Sequence, residues 1–496
     1  MKKERRSYQQ WLEQIYFLTK KRRLRDLNIQ LGKPTAEACT ASYEPSDLDE
    51  LKQLAISSNH GLEVYYEALD HFLRTKAEPF QAMLTTWMSG AKAYVRDSVI
   101  PFNDAINWCQ NASDPDDRKT LAKELLALCR FLTQFSHATW EAILSTLIET
   151  FGFKSYLHYN EEKRNMSIRD EATVAQEFLE QTKDSYFDSI SALTSKVAKL
   201  PLEESSRYDA IYLLGLRYLD HLFPSEFNMA RVEKFFESIE IPLRDNRNLK
   251  IHELSSGRQS YCIPVEIPGE IHVIVGKISG WLDLESLFHE LGHAFSFLYT
   301  DPNLPVEKKD FFHSAALPES YAFLFQTMCM SKPFLVEIMG IDPEKASIVS
   351  GIHRTKWTTL ARRYAAKLLV EIRNFDNVDL LEGKQYYSEV MKRETGFSYQ
   401  PDTYLFDLMP DFYTLDYFRG FVGAAIIEDF LNSNFGEKWF VNPEACKLIK
   451  KWWSKGNSHE LSGFLEVELK KPFDIKCFVE QLTEVNLQKE TLDRVL

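Results

Sequence analysis

The pentapeptide His289-Glu290-Leu291-Gly292-His293 constrains this chain more than any other stretch. Two histidines four apart on a helix project from one face in successive turns, so both imidazoles reach a single zinc ion. The glutamate between them sits where it can handle a proton. The spacing works only on a helix, and the flanks supply one. Asp283 is placed to cap its N-terminus and Glu285 to meet the positive end of its dipole, while Leu284, Leu287, Phe288, Leu291, Ala294, Phe295 and Leu298 recur at helical spacing. Asp301-Pro302-Asn303, with Pro305 close behind, stops the helix. A chance match to HExxH would also have to fall in a capped, apolar helix, so the pattern reads as the signature of a zinc hydrolase.

A catalytic zinc takes three protein ligands and leaves a fourth position for water. His289 and His293 are two of them. A third histidine at HExxHxxGxxH spacing is excluded, because Ser296 and Tyr299 hold the glycine and histidine positions. Downstream candidates are Glu307, Asp310, His313 and Glu319. Glu307 and Asp310 flank Lys308 and Lys309 and read as a solvated loop, and His313 reads as lining the turn before the next helix. Glu319 follows Pro318 at the start of the apolar run Glu319-Ser320-Tyr321-Ala322-Phe323-Leu324-Phe325, and a charge buried there needs a metal or a partner. Glu319 is the expected third ligand, with His313 its rival. One Zn2+ on His289, His293 and Glu319 would lower the pKa of bound water toward about 7. Glu290 would then act as general base and return the proton to the leaving amine. The oxyanion needs one more donor, a tyrosine or histidine from a segment folding back over the metal.

The chain around this motif reads as mainly α. Over 496 residues, 44% hydrophobic and 26% charged content is that of an ordinary globular protein, and a net charge of −13 argues against nucleic acid as a general partner. Residues 1–26 carry nine Lys/Arg against three Asp/Glu, a local +6 that leaves −19 elsewhere. Within it, Lys20-Lys21-Arg22-Arg23-Leu24-Arg25 reads as the solvated C-terminal end of a helix, in preference to a nucleic-acid or membrane patch. The basic start Met1-Lys2-Lys3-Glu4-Arg5-Arg6 leads into no apolar signal region, and no run approaches a membrane span, so a cytoplasmic location without membrane partners is expected. Seven scattered cysteines, among them Cys39 and Cys262, show no CxxC spacing and read as reduced, mostly buried residues.

Residues 1–238 read as a helical lobe, with helix starts at Ser46-Asp47 and Ser113-Asp114-Pro115. In it His71 and His221 each follow an aspartate, yet neighbours on a helix point apart, so both read as partly buried structural residues. Residues 239–496 read as the zinc-binding lobe, the two forming one continuous unit around a small sheet. β-Branched runs at 260–267 and 271–278 around Pro268-Gly269 predict a hairpin, with Pro264 marking an irregular or edge strand. An edge strand beside a zinc helix suits peptide cleavage, because an extended peptide can add to it through main-chain bonds. Helices are then predicted over roughly 343–375 and from about 410 toward 434.

Phe288-HELGH-Ala294, the glutamate of Pro318-Glu319-Ser320-Tyr321-Ala322, and the aromatic stretch Asp411-Phe412-Tyr413-Thr414-Leu415-Asp416-Tyr417-Phe418-Arg419-Gly420 together resemble the thimet oligopeptidase and oligoendopeptidase F family of zinc peptidases. The resemblance implies a bilobal helical ellipsoid split by a deep channel that admits short unstructured peptides. It also implies oxyanion or substrate contacts for Tyr413 and Tyr417. One departure stands out: Asp407 lies where oligoendopeptidase F has a histidine. That departure leaves room for a non-catalytic peptide-binding protein on the same fold. The carboxypeptidase Taq family shares the HExxH-plus-Glu arrangement but carries His-Glu-Ser-Gln where this chain has Pro318-Glu319-Ser320-Tyr321. Exopeptidase action would need a cation for the substrate's terminal carboxylate, for which Arg362, Arg363 and Arg419 are candidates.

Overall fold

The computed structural model describes residues 6–34, 42–58, 60–244, 246–254, 260–376 and 379–483, so that Met1–Arg5 and Cys39 lie outside the described residues. Helices dominate, and the expected mainly α class holds. Local sequence explains where they begin. Asp114 caps the helix Pro115–Ser145 through the Asp116 N–H at 3.0 Å, with Pro115 in the first turn, and Leu121, Leu125, Cys129, Leu132, Trp140 and Leu144 form its buried stripe. Asp342 caps the helix Pro343–Phe375 in the same way. Among the described residues no helix is long and apolar enough to cross a membrane. The main apolar core runs from Tyr8 to Leu482 and draws on both sides of residue 238.

Two small sheets interrupt the helices. Strands β1 (Lys92–Val95) and β2 (Ser98–Pro101) form an antiparallel hairpin that the sequence pattern does not announce. The second sheet contains β3 (Leu249–Leu254), β4 (Tyr261–Glu266) and β5 (Glu270–Gly276) in the order β3-β5-β4. The expected hairpin is β4–β5, paired antiparallel, and Pro264 lies on edge strand β4 beside a register irregularity. The unexpected strand is β3, which pairs parallel to β5.

The basic segment near the N-terminus corrects the expectation of a solvated helix end. Its helix runs Tyr8–Gln30, so Lys20–Arg25 are interior, and Lys20, Arg22, Arg23 and Arg25 pair with acids. Arg23 donates to Asp310 Oδ1 and to the Asp310 carbonyl, both at 2.7 Å, Arg25 to Glu78 at 2.8 Å, and Lys20 pairs with Glu266 on β4. The charge excess fastens the first helix to the Glu63–Gly90 helix and to the 239–496 side. Of the two Asp-His neighbours, His71 is buried against Thr19 and Glu67, whereas His221 is exposed, contrary to expectation. Cys109, Cys129, Cys329 and Cys446 are free and buried.

Candidate metal centre

The pentapeptide lies in the helix Trp281–Leu298, which begins after a four-residue link from β5. Its cap differs from the expected one. Gly280 occupies the N-cap, Asp220 from the other half of the chain accepts the Trp281 N–H at 3.1 Å, and Asp283 reaches back to the Ser279 N–H at 2.9 Å and pairs with Arg217. Most of this helix is buried, but His289, Glu290 and His293 are partly open. The helix Ala316–Cys329 packs against it, and Gly292 permits the approach: a Cβ there would lie 2.6 Å from the Ala322 Cα. Glu319 is thereby carried to the two histidines.

The ligand atoms of His289, His293 and Glu319 lie within 4.8 Å of one another, the one such three-residue group among the described residues. Glu319 Oε2 is 3.6 Å from His289 Nε2, and Oε1 is 3.4 Å from His293 Nε2. The rivals are elsewhere. Asp310 pairs with Arg23, Glu307 accepts from Tyr8 at 3.3 Å, and His313 packs edge-on to the Tyr66 ring at 5.9 Å. The donor set fits a catalytic zinc: two imidazole nitrogens, one carboxylate, and a buried Glu319 Oε2 with no hydrogen-bond partner among the described residues. Burial, with His293 nearby, holds the His289 imidazole down at about 4 and so keeps it neutral, as a metal ligand must be.

Glu290 projects from the same face. Burial pushes its carboxyl up to about 7, and the Cys262 N–H of edge strand β4 donates to it. The sheet edge and the acid–base candidate are thus adjacent.

Tyr413 and Tyr417 come from the helix Tyr413–Phe435, which the sequence pattern starts slightly too early. Asp411 and Phe412 interrupt it with left-handed φ values of 58° and 50°. Neither is glycine, so the kink is strained and must be held. Arg164 holds it by donating to the Asp411 carbonyl and making a bidentate pair with buried Asp416 at 2.7 and 2.9 Å, while Tyr156 Oη accepts the Asp411 N–H at 2.8 Å. Tyr413 Oη then donates to Glu319 Oε1. The Tyr417 ring lies 5.0 Å from that of Tyr413 and stacks on Tyr364 at 4.7 Å. Burial raises both phenols well above their usual pKa, leaving them protonated as donors. Gly420 closes the arrangement, since a Cβ there would sit 2.7 Å from the Glu319 Cβ.

Asp407, the departure from the oligoendopeptidase F pattern noted in the sequence, is a counter-ion. It accepts from Tyr387 at 2.9 Å, pairs with Arg363, and lies 3.6 Å from Arg207 and 3.9 Å from Lys367. Of the three candidate arginines, Arg419 pairs with Glu171 and Arg362 is spent on buried acceptors, including the Glu394 carbonyl at 2.9 Å. Arg363 alone of the three lies over Tyr364, at 5.3 Å, and so beside Tyr417. No sequence pattern singles out Gln326, whose Oε1 is 3.0 Å from His289 Nδ1 and whose Nε2 donates to Glu285, the residue expected only to meet the helix dipole. Glu285 is one turn from His289 in an apolar helix, and the logic that singled out Glu319 applies to it equally.

No protein-family model and no curated protein matches this chain. Solved structures do, at the level of fold. A carboxypeptidase of Pyrococcus furiosus is similar with a TM-score of 0.51 at 13% identity, over 98% of this chain and 100% of that one. Metallocarboxypeptidase 1 of Trypanosoma cruzi gives 0.53 at 12% identity, over 96% and 99%. A Bacillus anthracis protein described as an oligoendopeptidase F gives 0.56 at 13% identity, over 89% and 82%. The chain therefore has a fold shared by carboxypeptidases and by an oligoendopeptidase.

Proposed function

We propose that this chain is a zinc-dependent endopeptidase that hydrolyses short unstructured peptides. The observation that carries the reading is the convergence of His289, His293 and Glu319 within 4.8 Å on a face shared with Glu290. His289, His293 and Glu319 would hold one Zn2+, which supplies Lewis-acid polarisation of the scissile carbonyl and acidifies water. Glu290 takes the proton from the attacking water and passes it to the leaving amine. Its raised pKa suits this shuttle, because the carboxyl can both accept and release a proton near neutral pH. Tyr417 supplies the donor for the developing oxyanion, and Tyr413 orients Glu319. An extended peptide pairs with edge strand β4, next to Glu290. Residues 1–238 and 239–496 serve as the two lobes of one cytoplasmic unit, flanking a channel that excludes folded proteins, nucleic acid and membranes.

Replacing Glu290→Gln tests the mechanism. Zinc should remain near one equivalent while cleavage of a quenched fluorescent peptide is lost, and unchanged turnover would end the assignment. The same wild-type assay separates an enzyme from a peptide binder, which would return the peptide intact.

A second reading is carboxypeptidase action, in which Arg363, beside Tyr364 and Tyr417, exchanges its ion pair with Asp407 for the substrate's terminal carboxylate. Near-complete coverage of the carboxypeptidase structures supports it. Peptides with free and amidated C-termini distinguish the two: the endopeptidase cuts both, whereas the carboxypeptidase releases single residues from the free form only.

A further inference from the structure

We infer that Gln326, Glu285 and Lys356 form a positioning relay that fixes the tautomer of His289 and thereby sets the metal affinity of the centre. The inference rests on the zinc-peptidase reading and adds three residues to it. Glu285 is buried and one helical turn before His289, so the two project from the same side of the helix. Gln326 is seven residues after Glu319, two turns along the neighbouring helix, and again on one face. Lys356 comes from the long helix Pro343–Phe375. Three helices therefore converge behind His289.

The hydrogen bonds run in one direction only. Lys356 Nζ has donors and no acceptor, and it lies 2.7 Å from Glu285 Oε2. Glu285 Oε2 is therefore the acceptor of this contact. The Gln326 atom facing it, at 3.2 Å, must then be the amide nitrogen, so the amide oxygen is turned toward His289. At 3.0 Å from that oxygen, His289 Nδ1 must carry a proton. Its lone pair is left on Nε2, the nitrogen that faces Glu319. His353 Nε2, 3.7 Å from Glu285 Oε2, is too distant to replace either donor.

His293 has no equivalent. Its Nδ1 is buried without a partner among the described residues, and its ring stacks on Phe297. His289 is therefore the histidine whose orientation the protein specifies. A buried Glu-Lys pair is costly to desolvate, and here it is attached through one amide to a metal ligand. If Lys356 is removed, Glu285 Oε2 loses the cation that holds it in place, and the Gln326 amide that it orients is released. The amide then turns its NH2 toward His289, and the proton moves to Nε2, where it blocks the ligand position.

Ring-15N histidine NMR on the full chain before zinc is added reads the tautomer directly, without the constraint that a bound ion would itself impose. His289 should be protonated on Nδ1, and a proton-free Nδ1 overturns the relay even if every variant fails to fold. Zinc affinity by chelator competition provides the second readout, with no peptide present. Gln326→Ala and Lys356→Met should each weaken zinc binding by about 10–100-fold. Lys356→Arg, which keeps the charge, should restore most of it. Wild-type affinity in both Gln326→Ala and Lys356→Met overturns the relay and leaves the peptidase reading standing. A wild-type protein that binds no zinc removes both.

Discussion

Two tyrosines a single turn apart are assigned different work by their surroundings. The Tyr413 hydroxyl is engaged with Glu319, whereas the Tyr417 ring is fixed between Tyr364 and Phe323 and does not share that bond. Tyr413→Phe should therefore weaken zinc binding by about tenfold, because Glu319 loses the one side-chain donor it has outside the histidines among the described residues. Tyr417→Phe should leave zinc affinity unchanged and lower kcat by about 100-fold, the scale of one oxyanion donor. Zinc titration and steady-state kinetics on both variants check this, and equal effects on affinity would erase the distinction. At this scale the sequence was informative wherever a periodicity was involved. His289, Glu290 and His293 follow from a four-residue spacing, and Glu319 from a charge in an apolar run. Gln326 was not legible, because an amide gains meaning only from the side chain it faces on another helix. Asp407 was legible as a departure but not as a counter-ion, since Arg207, Arg363 and Tyr387 are remote from it in sequence.

At the level of elements, the centre depends on how closely three helices approach. Gly292 lets the HELGH helix meet the Ala316–Cys329 helix, and Gly420 lets the Tyr413–Phe435 helix meet it from another side. Gly420→Ala would place a Cβ 2.7 Å from the Glu319 Cβ and 3.1 Å from the Phe323 ring, neither of which is a flexible chain end. The helices must separate by a fraction of an ångström, costing about 1–3 kcal/mol of stability and moving Glu319 away from His289 and His293. Urea unfolding together with zinc titration should show both losses; a stable variant with intact zinc affinity would mean that the contact is slack. Helix existence was readable throughout from apolar spacing and from Asp or Ser caps before proline. Strand β3 was not, because Leu249-Lys250-Ile251-His252-Glu253-Leu254 becomes a strand only by pairing parallel to β5. Likewise the left-handed pair Asp411-Phe412 is imposed by Arg164 and Tyr156, from more than two hundred residues away, against what either residue prefers alone.

Across the whole molecule, the two halves are joined by buried charge, and that charge makes the response to acid a sum of opposed contributions. Arg164 and Lys163 reach from the first half to Asp416 and Asp411 in the second, and Asp220 caps the HELGH helix. Burial holds His353 at about 4, below its ordinary 6.5, so the unfolded chain takes up this proton first. Stability from neutral His353 is complete above pH 6.5 and is lost as pH falls toward 4, by about 3 kcal/mol in all. Glu428 acts the other way. Burial raises its carboxyl from 4.5 to about 7, so the folded chain takes up the proton first and gains stability as pH falls between those values. The wild-type curve alone would show the two partly cancelling, but single variants separate them. Relative to wild type, His353→Gln should become progressively more stable from pH 6.5 down to 4, whereas Glu428→Gln should lose ground from pH 7 down to 4.5. Urea midpoints at half-unit pH steps measure both slopes. Parallel curves for the three proteins would show that neither group is as buried as its neighbours imply.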